Sequence, residues 1–326
     1  MKNFIAIICI CTATISLSKD LPELNIYAPD YFTSEWGPGP SIETAFEEIC
    51  DCDLKFSPGE LLPRLMLEGS KTNADIVIGL NTDVINKALK TGLFAPHHQD
   101  NNELELPIEW KDKIFLPFNW SYISFIFDAR TTNLPKNFED LANIEDNIKI
   151  VIQDPRTSIS GLALVLWVKA IYGDQSEDYW SRLAPKILTV TKGWSESYGL
   201  FTEGEAEGVL SFTTSPAYHI VVESENTKRA AIFNEGHYPY FELAAKMSGT
   251  KQPELADKFM SFILSDNFQN LIPMTNWSYP SAQPKSEWPE PFKDLPIPQK
   301  TLFFNSTQAQ ELRKEAVEEW RRALSQ

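Results

Sequence analysis

The chain is poor in the residues that most catalytic and metal-binding motifs require. It has four cysteines and four histidines in 326 residues. His97, His98, His219 and His237 are scattered, so no group of them has metal-ligand spacing. There is no G-x-S-x-G elbow, no H-E-x-x-H, no P-loop and no dinucleotide fingerprint. Basic residues are outnumbered, 29 Lys and Arg against 45 Asp and Glu, which argues against a nucleic-acid partner and favours cationic ones. Long apolar runs are missing as well. Beyond the first residues nothing offers the roughly 18 uninterrupted apolar positions of a membrane span.

What is present begins with a leader. Met1 to Ser18 reads as a secretory signal, with Lys2 as its positive start, Phe4 to Ile15 as a short apolar run, and Ser16-Leu17-Ser18 as a small-residue cleavage site. Its loss takes the formal charge from −16 to −17 and leaves Cys50 and Cys52 as the last cysteines. In an oxidising compartment these two are able to pair, although a bridge over one intervening residue is strained and easily reduced. A Cys-x-Cys pair alone supplies two of the usual four metal ligands. Asn119, Asn276 and Asn305 begin Asn-x-Ser/Thr triplets; such triplets are common by chance and no role is assigned to them.

A content of 43% hydrophobic and 12% aromatic residues over this length is enough for two globular lobes. Strand, loop and helix alternate from the start. Leu24–Tyr27 reads as a strand, and Ser41 as the cap of a helix carrying Ile42, Ala45, Phe46 and Ile49. A helix over 60–68, a buried strand over 75–79 and a helix over 83–91 follow. This alternation predicts an α/β fold with a parallel sheet. The β-rich run from Leu116 to Asp128 has the character of a crossing from one lobe to another. Near the end, Thr307 with Gln310 reads as a capping box for a closing amphipathic helix.

The chemistry concentrates between Thr191 and His219. Two stretches, TKGWSESYGLF and SFTTSPAYH, read as aromatic-bearing loops around a short polar helix. A ring attracts a cation through its quadrupole by about 0.5–2 kcal/mol, so Trp194, Tyr198 and Tyr218 together suggest a flat or cationic guest. The turn DPRTSISG, at a strand end and helix start, offers N–H groups and the hydroxyls of Ser158 and Ser160 to an anion. The same serines also suit plain helix capping. In open α/β sheets ligands sit at such strand ends.

The strings EWGPGP, KTGLFAP, QDPRTS, VTKGWSESYGLF, SFTTSPAYH, EGHY and NW-S-YP, in this order, resemble the periplasmic thiamine-binding proteins of bacterial ABC importers over about residues 23–325. The resemblance implies a type II, Venus-flytrap periplasmic-binding-protein fold with the ligand in the interlobe cleft. Lobe 1 would be 19–117 with 240–288, and lobe 2 would be 118–239 with 289–326. It implies a non-enzymatic, monomeric periplasmic receptor without a cofactor. Its cargo would be thiamine, thiamine monophosphate or thiamine diphosphate, and its partners an ABC transporter permease and, through it, the ATPase. Trp194, Tyr218 and Trp277 would stack on the ligand, Ser158, Ser160 and Gly161 would hold its hydroxyl or phosphate end, and Tyr27 and Trp36 would line the cleft. The chain departs from the family where an acidic segment precedes the second helix. It reads SPGELL there, with Glu60 as the nearest carboxylate and Asp30 and Glu235 as substitutes. Two other readings compete. One is a ferric-ion binder of the same fold, using His237, Tyr238 and Tyr240; the other is a thiaminase-type enzyme with Cys50 or Cys52 as nucleophile.

Overall fold

The computed structural model describes residues 21–325; the leader read at 1–18 lies outside them. Among the described residues eleven strands form one sheet: β1 (Glu23–Ala28), β2 (Asp53–Pro58), β3 (Ile76–Asn81), β4 (Phe94–Ala95), β5 (Phe115–Asp128), β6 (Ile150–Gln153), β7 (Ile187–Thr191), β8 (Gly208–Phe212), β9 (Lys228–Ala230), β10 (Pro239–Met247) and β11 (Tyr279–Pro280). Their order is β2-β1-β3-β10-β5-β8-β6-β7, with β4 on β10 and with β9 and β11 on β5.

β5 belongs to both halves of this sheet. Its first half pairs antiparallel with β10, Trp120 opposite Phe241, and its second half pairs antiparallel with β8, Phe125 opposite Leu210. Beyond β10 the first lobe continues through β3, β1 and β2, the last three mutually parallel. Beyond β8 the second lobe continues through parallel β6 and β7. The division expected at 117/118 therefore falls inside a continuous strand. Thirteen of its fourteen residues are buried, which is why it reads as an apolar run without alternation. The chain crosses twice more, where β10 starts and where Lys300 to Leu302 exchange backbone hydrogen bonds with His237. After 288, Phe292 and Leu295 still pack in a first-lobe cluster with Trp120 and Tyr279, whereas the helix Ser306–Leu324 buries Ala316 and Trp320 in the second lobe's core.

Several expectations shift. The first long helix is Gly39–Cys50, entered from Pro38, so Ser41 lies inside it. β2 was not anticipated, because DLKFSP is short and mostly half-exposed. The closing capping box uses Asn305 and Gln308, two residues earlier than expected. Cys50 and Cys52 are joined as a disulfide with Cα atoms 5.2 Å apart. Among the described residues no helix is long and apolar enough to cross a membrane.

Candidate functional site

The second lobe presents an aromatic wall at the ends of β7 and β8. After β7 the chain turns at Gly193 into the helix Trp194–Thr202. The Trp194 indole N–H donates to Ser211 Oγ at 2.8 Å, which fixes the ring edge. Tyr198, one turn on, stacks on it with centroids 4.7 Å apart and planes at 23°, the natural meeting of positions i and i+4. The Tyr198 hydroxyl lies 2.8 Å from His219 Nε2, and the other ring nitrogen lies 2.6 Å from Glu223 Oε2. With Nδ1–H given to that carboxylate, Nε2 is left to accept from the tyrosine. Burial holds the Tyr198 phenol well above its ordinary pKa, so it stays a neutral backing for the indole. Trp194 thus stands in the first turn of a helix and Tyr198 in the next, not on a loop. Gly193 opens this helix and Pro216 the following one, and the residue types that start helices are those that also make turns.

Tyr218, in the helix Pro216–Val222, is the exposed ring of this wall at 37%. It meets Trp277 edge to face, centroids 5.2 Å apart at 85°. Trp277 lies two residues before β11, which pairs with the first-lobe half of β5, so this contact spans the lobes. Trp277 holds a left-handed φ of +51°, a conformation a bulky side chain adopts only when its surroundings impose it.

The hydroxyl turn is wired to the same wall. Ser158 caps the helix Ile159–Tyr172 by accepting from Gly161 N–H at 3.5 Å, and its Oγ lies 2.9 Å from Ser160 Oγ. Ser160 donates to Gln153 Oε1 at 2.8 Å, the Gln153 side-chain amide donates to Ser197 Oγ, and Ser197 donates to the Trp194 carbonyl at 2.9 Å. Gly161 is required by packing: a Cβ there would stand 2.5 Å from Gln153 O. The first-turn N–H groups of this helix lack intrahelical acceptors, as at every helix start.

The other expected residues lie apart from this assembly. Tyr27 is 3% exposed and faces the helix Leu61–Glu68. Its hydroxyl donates to Glu68 Oε2 at 3.0 Å and the Arg64 guanidinium lies 3.6 Å above its ring. Trp36 is 64% exposed, and among the described residues no ring contact joins it to the others. Glu60 is an exposed N-cap residue without a capping bond. Asp30 is exposed as well. Glu235 accepts the Phe138 N–H at 3.2 Å. Of the residues raised for a ferric site, Tyr238 is buried with its hydroxyl unpartnered among the described residues, and His237 is engaged elsewhere. His237 accepts from Phe233 N–H at 2.7 Å and bonds Ile123 O at 2.8 Å; burial pushes its pKa down to about 4, leaving a neutral ring with both nitrogens occupied. The paired sulfurs of Cys50 and Cys52 offer no thiolate to a thiaminase-type reaction.

Glu242 was missed by sequence reasoning. It lies on β10 at 4% exposure and accepts from Asn119 Nδ2 at 2.6 Å, from Asn276 Nδ2 at 2.7 Å and from the Tyr31 hydroxyl. Burial raises its pKa to about 7. The signal for it in the sequence is a lone carboxylate in the apolar strand PYFELAA; burying one requires partners.

The sequence profile of the bacterial extracellular solute-binding proteins matches residues 71–301. The thiamine-binding periplasmic protein of Salmonella typhimurium is 42% identical over 330 residues, covering 100% of this chain and 99% of that protein. A solved structure of a periplasmic thiamin binding protein superposes with a TM-score of 0.88 at 43% identity, covering 94% of this chain and 97% of the other. The ferric binding protein from Campylobacter jejuni superposes at 0.76 with 23% identity, over 92% of this chain and 99% of the other; that likeness is one of fold alone.

Proposed function

The chain belongs to the bacterial extracellular solute-binding proteins, and from that premise we propose that it captures thiamine between its lobes and delivers it to the permease of an ABC importer. The reading includes thiamine monophosphate and diphosphate as cargo, no catalysis and no cofactor. It also includes a monomeric receptor exported to the periplasm by a cleaved leader, and a permease coupled to its own ATPase. The two lobes, joined within β5, at the start of β10 and near Lys300–Leu302, move as the units that close.

The observation that carries this reading is the aromatic frame: Trp194 backed by Tyr198, with Tyr218 and Trp277 meeting across the lobes. Thiamine joins an aminopyrimidine to a cationic thiazolium, and ring faces attract both flat and positive groups. Three such contacts supply about 1.5–6 kcal/mol, whereas nanomolar affinity needs about 12. The remainder comes from apolar burial on closure and hydrogen bonds to the pyrimidine, less the cost of closing. Ser158 and the N-terminal turn of the helix at Gly161 would receive the hydroxyl or phosphate end, the charge of a phosphate meeting a helix N-terminus, with Ser160 holding Gln153 behind them. Trp36, Glu60 and Tyr27 stay outside the part of the proposal that the frame supports.

Calorimetry with thiamine tests it. The parent protein is expected to bind, and Trp194→Ala to bind at least tenfold more weakly, about 1.4 kcal/mol or more. A parent that ignores thiamine would overturn the function, and a Trp194→Ala protein that binds like the parent would overturn the role of that ring.

A further inference from the structure

We infer that Glu242 is a positioning residue that fixes the Trp277 loop to a crossing strand, and so sets the shape of the site before any ligand arrives. The inference rests on the thiamine-binding reading for its functional readout. Its geometry stands independently.

Three donors from three separate parts of the chain converge on this one carboxylate. Asn119 comes from β5, directly opposite Glu242 in the β5–β10 register. Asn276 immediately precedes Trp277. Tyr31 comes from the helical turn Asp30–Thr33, which leads into the loop carrying Trp36. The two asparagines open identical Asn-Trp-Ser triplets, at 119 and 276, and in both the side-chain amide is spent on Glu242. The carboxylate is the acceptor that makes the arrangement possible. Above its raised pKa of about 7 the carboxylate is ionised, with about four lone-pair sites that can satisfy three donors, whereas a neutral amide replaces half of that capacity with N–H groups aimed at other donors. The left-handed φ of +51° at Trp277 needs such a hold, because a bulky residue leaves that region when its neighbours release it. The carboxylate touches none of the aromatic rings of the site; it acts through Asn276 on Trp277.

The test compares the parent, Glu242→Gln, and the swap Glu242→Gln with Asn276→Asp. The swap restores one amide and one carboxylate to the 242/276 pair with the positions exchanged. Thiamine affinity is read by calorimetry. The Trp277 environment is read in ligand-free protein as the 19F resonance of fluorotryptophan, assigned with Trp277→Phe. Glu242→Gln is expected to bind at least tenfold more weakly and to shift or broaden the Trp277 resonance, with the swap recovering most of both. A Glu242→Gln protein with parental affinity and an unmoved resonance overturns the inference. So does a swap that refolds to parental stability without recovering either readout. If the parent itself fails to bind thiamine, the functional reading falls, and the resonance alone decides the role of Glu242. Should Glu242→Gln fail to fold, the swap is compared with Asn276→Asp alone: recovery of affinity and resonance in the swap is expected, and its absence overturns the inference.

Discussion

At the residue scale the rings were legible and the buried acids were not. Trp194, Tyr218 and Trp277 stand among glycine, serine and proline, and such neighbours mark ring positions near the surface. Asp83 and Glu242 owe their character to contacts made by residues far away in the chain. Asp83 is 9% exposed. One oxygen accepts from Asn81 at 3.1 Å, and the other is buried without a hydrogen-bond partner among the described residues. Burial raises its pKa to about 6 against an ordinary 3.8, with Arg313 pulling the other way. The folded state therefore keeps a proton that the unfolded chain gives up between these two values, so stability falls as pH rises from about 4 to 6 and stays reduced above. Asp83→Asn should raise the denaturation midpoint at pH 7.5, by up to about 3 kcal/mol at about 1.36 kcal/mol per pKa unit, and the gain should vanish near pH 4. A gain that is the same at both pH values would show that the carboxyl is not titrating in the folded protein. Ser160 shows the same limit of sequence reasoning. Its hydroxyl could be read as an anion donor, yet it donates to Gln153, a bond that only the fold brings about.

Among elements, long periodic or wholly apolar segments were read well and short ones were not. β5 buries thirteen of its fourteen residues and the helix Ile159–Tyr172 buries the whole run Ser160 to Lys169, so composition alone announces them. β2 alternates weakly and pairs at the sheet edge with β1 only, and nothing in its own six residues separates it from a loop. The closing helix was located but misaligned at its start. NSTQ and TQAQ both fit a cap followed three residues later by Gln, and the sequence does not choose between them. The structure uses Asn305, which accepts from Thr307 and Gln308 N–H at 3.1 and 3.0 Å while Gln308 Oε1 accepts from Asn305 N–H at 3.0 Å. This predicts a sharp asymmetry. Asn305→Ala should cost about 1 kcal/mol, the usual value of a lost cap. Thr307→Ala should cost much less, since its side chain makes only a 3.3 Å bond with Asn86. Denaturant midpoints of the two variants check it, and equal losses would reinstate the later cap.

At the scale of the whole molecule, the two-lobed plan was visible in the sequence because one strand, β5, is too long and too apolar to belong to a single lobe. The contact that spans the lobes was not, since Tyr218 and Trp277 are 59 positions apart in the sequence and meet only when the two lobes face each other. An edge-to-face ring pair contributes about 0.5–1.5 kcal/mol beyond its buried area, and a bias of that size leaves an open form substantially populated. Ligand binding must therefore supply most of the free energy of closing, and it can do so only through contacts stronger in the closed form. Small-angle scattering should then show the parent compacting as thiamine is added. Trp277→Ala should reach a similar compact end point only at thiamine concentrations at least tenfold higher, because the ring contributes to the ligand's differential affinity and not to the hinge. A Trp277→Ala titration that coincides with the parent's would place the closing contacts elsewhere in the cleft. A parent already compact and unchanged by thiamine would mean that the three crossings hold the lobes rigidly, and recognition by the permease would then have to read something other than their relative position.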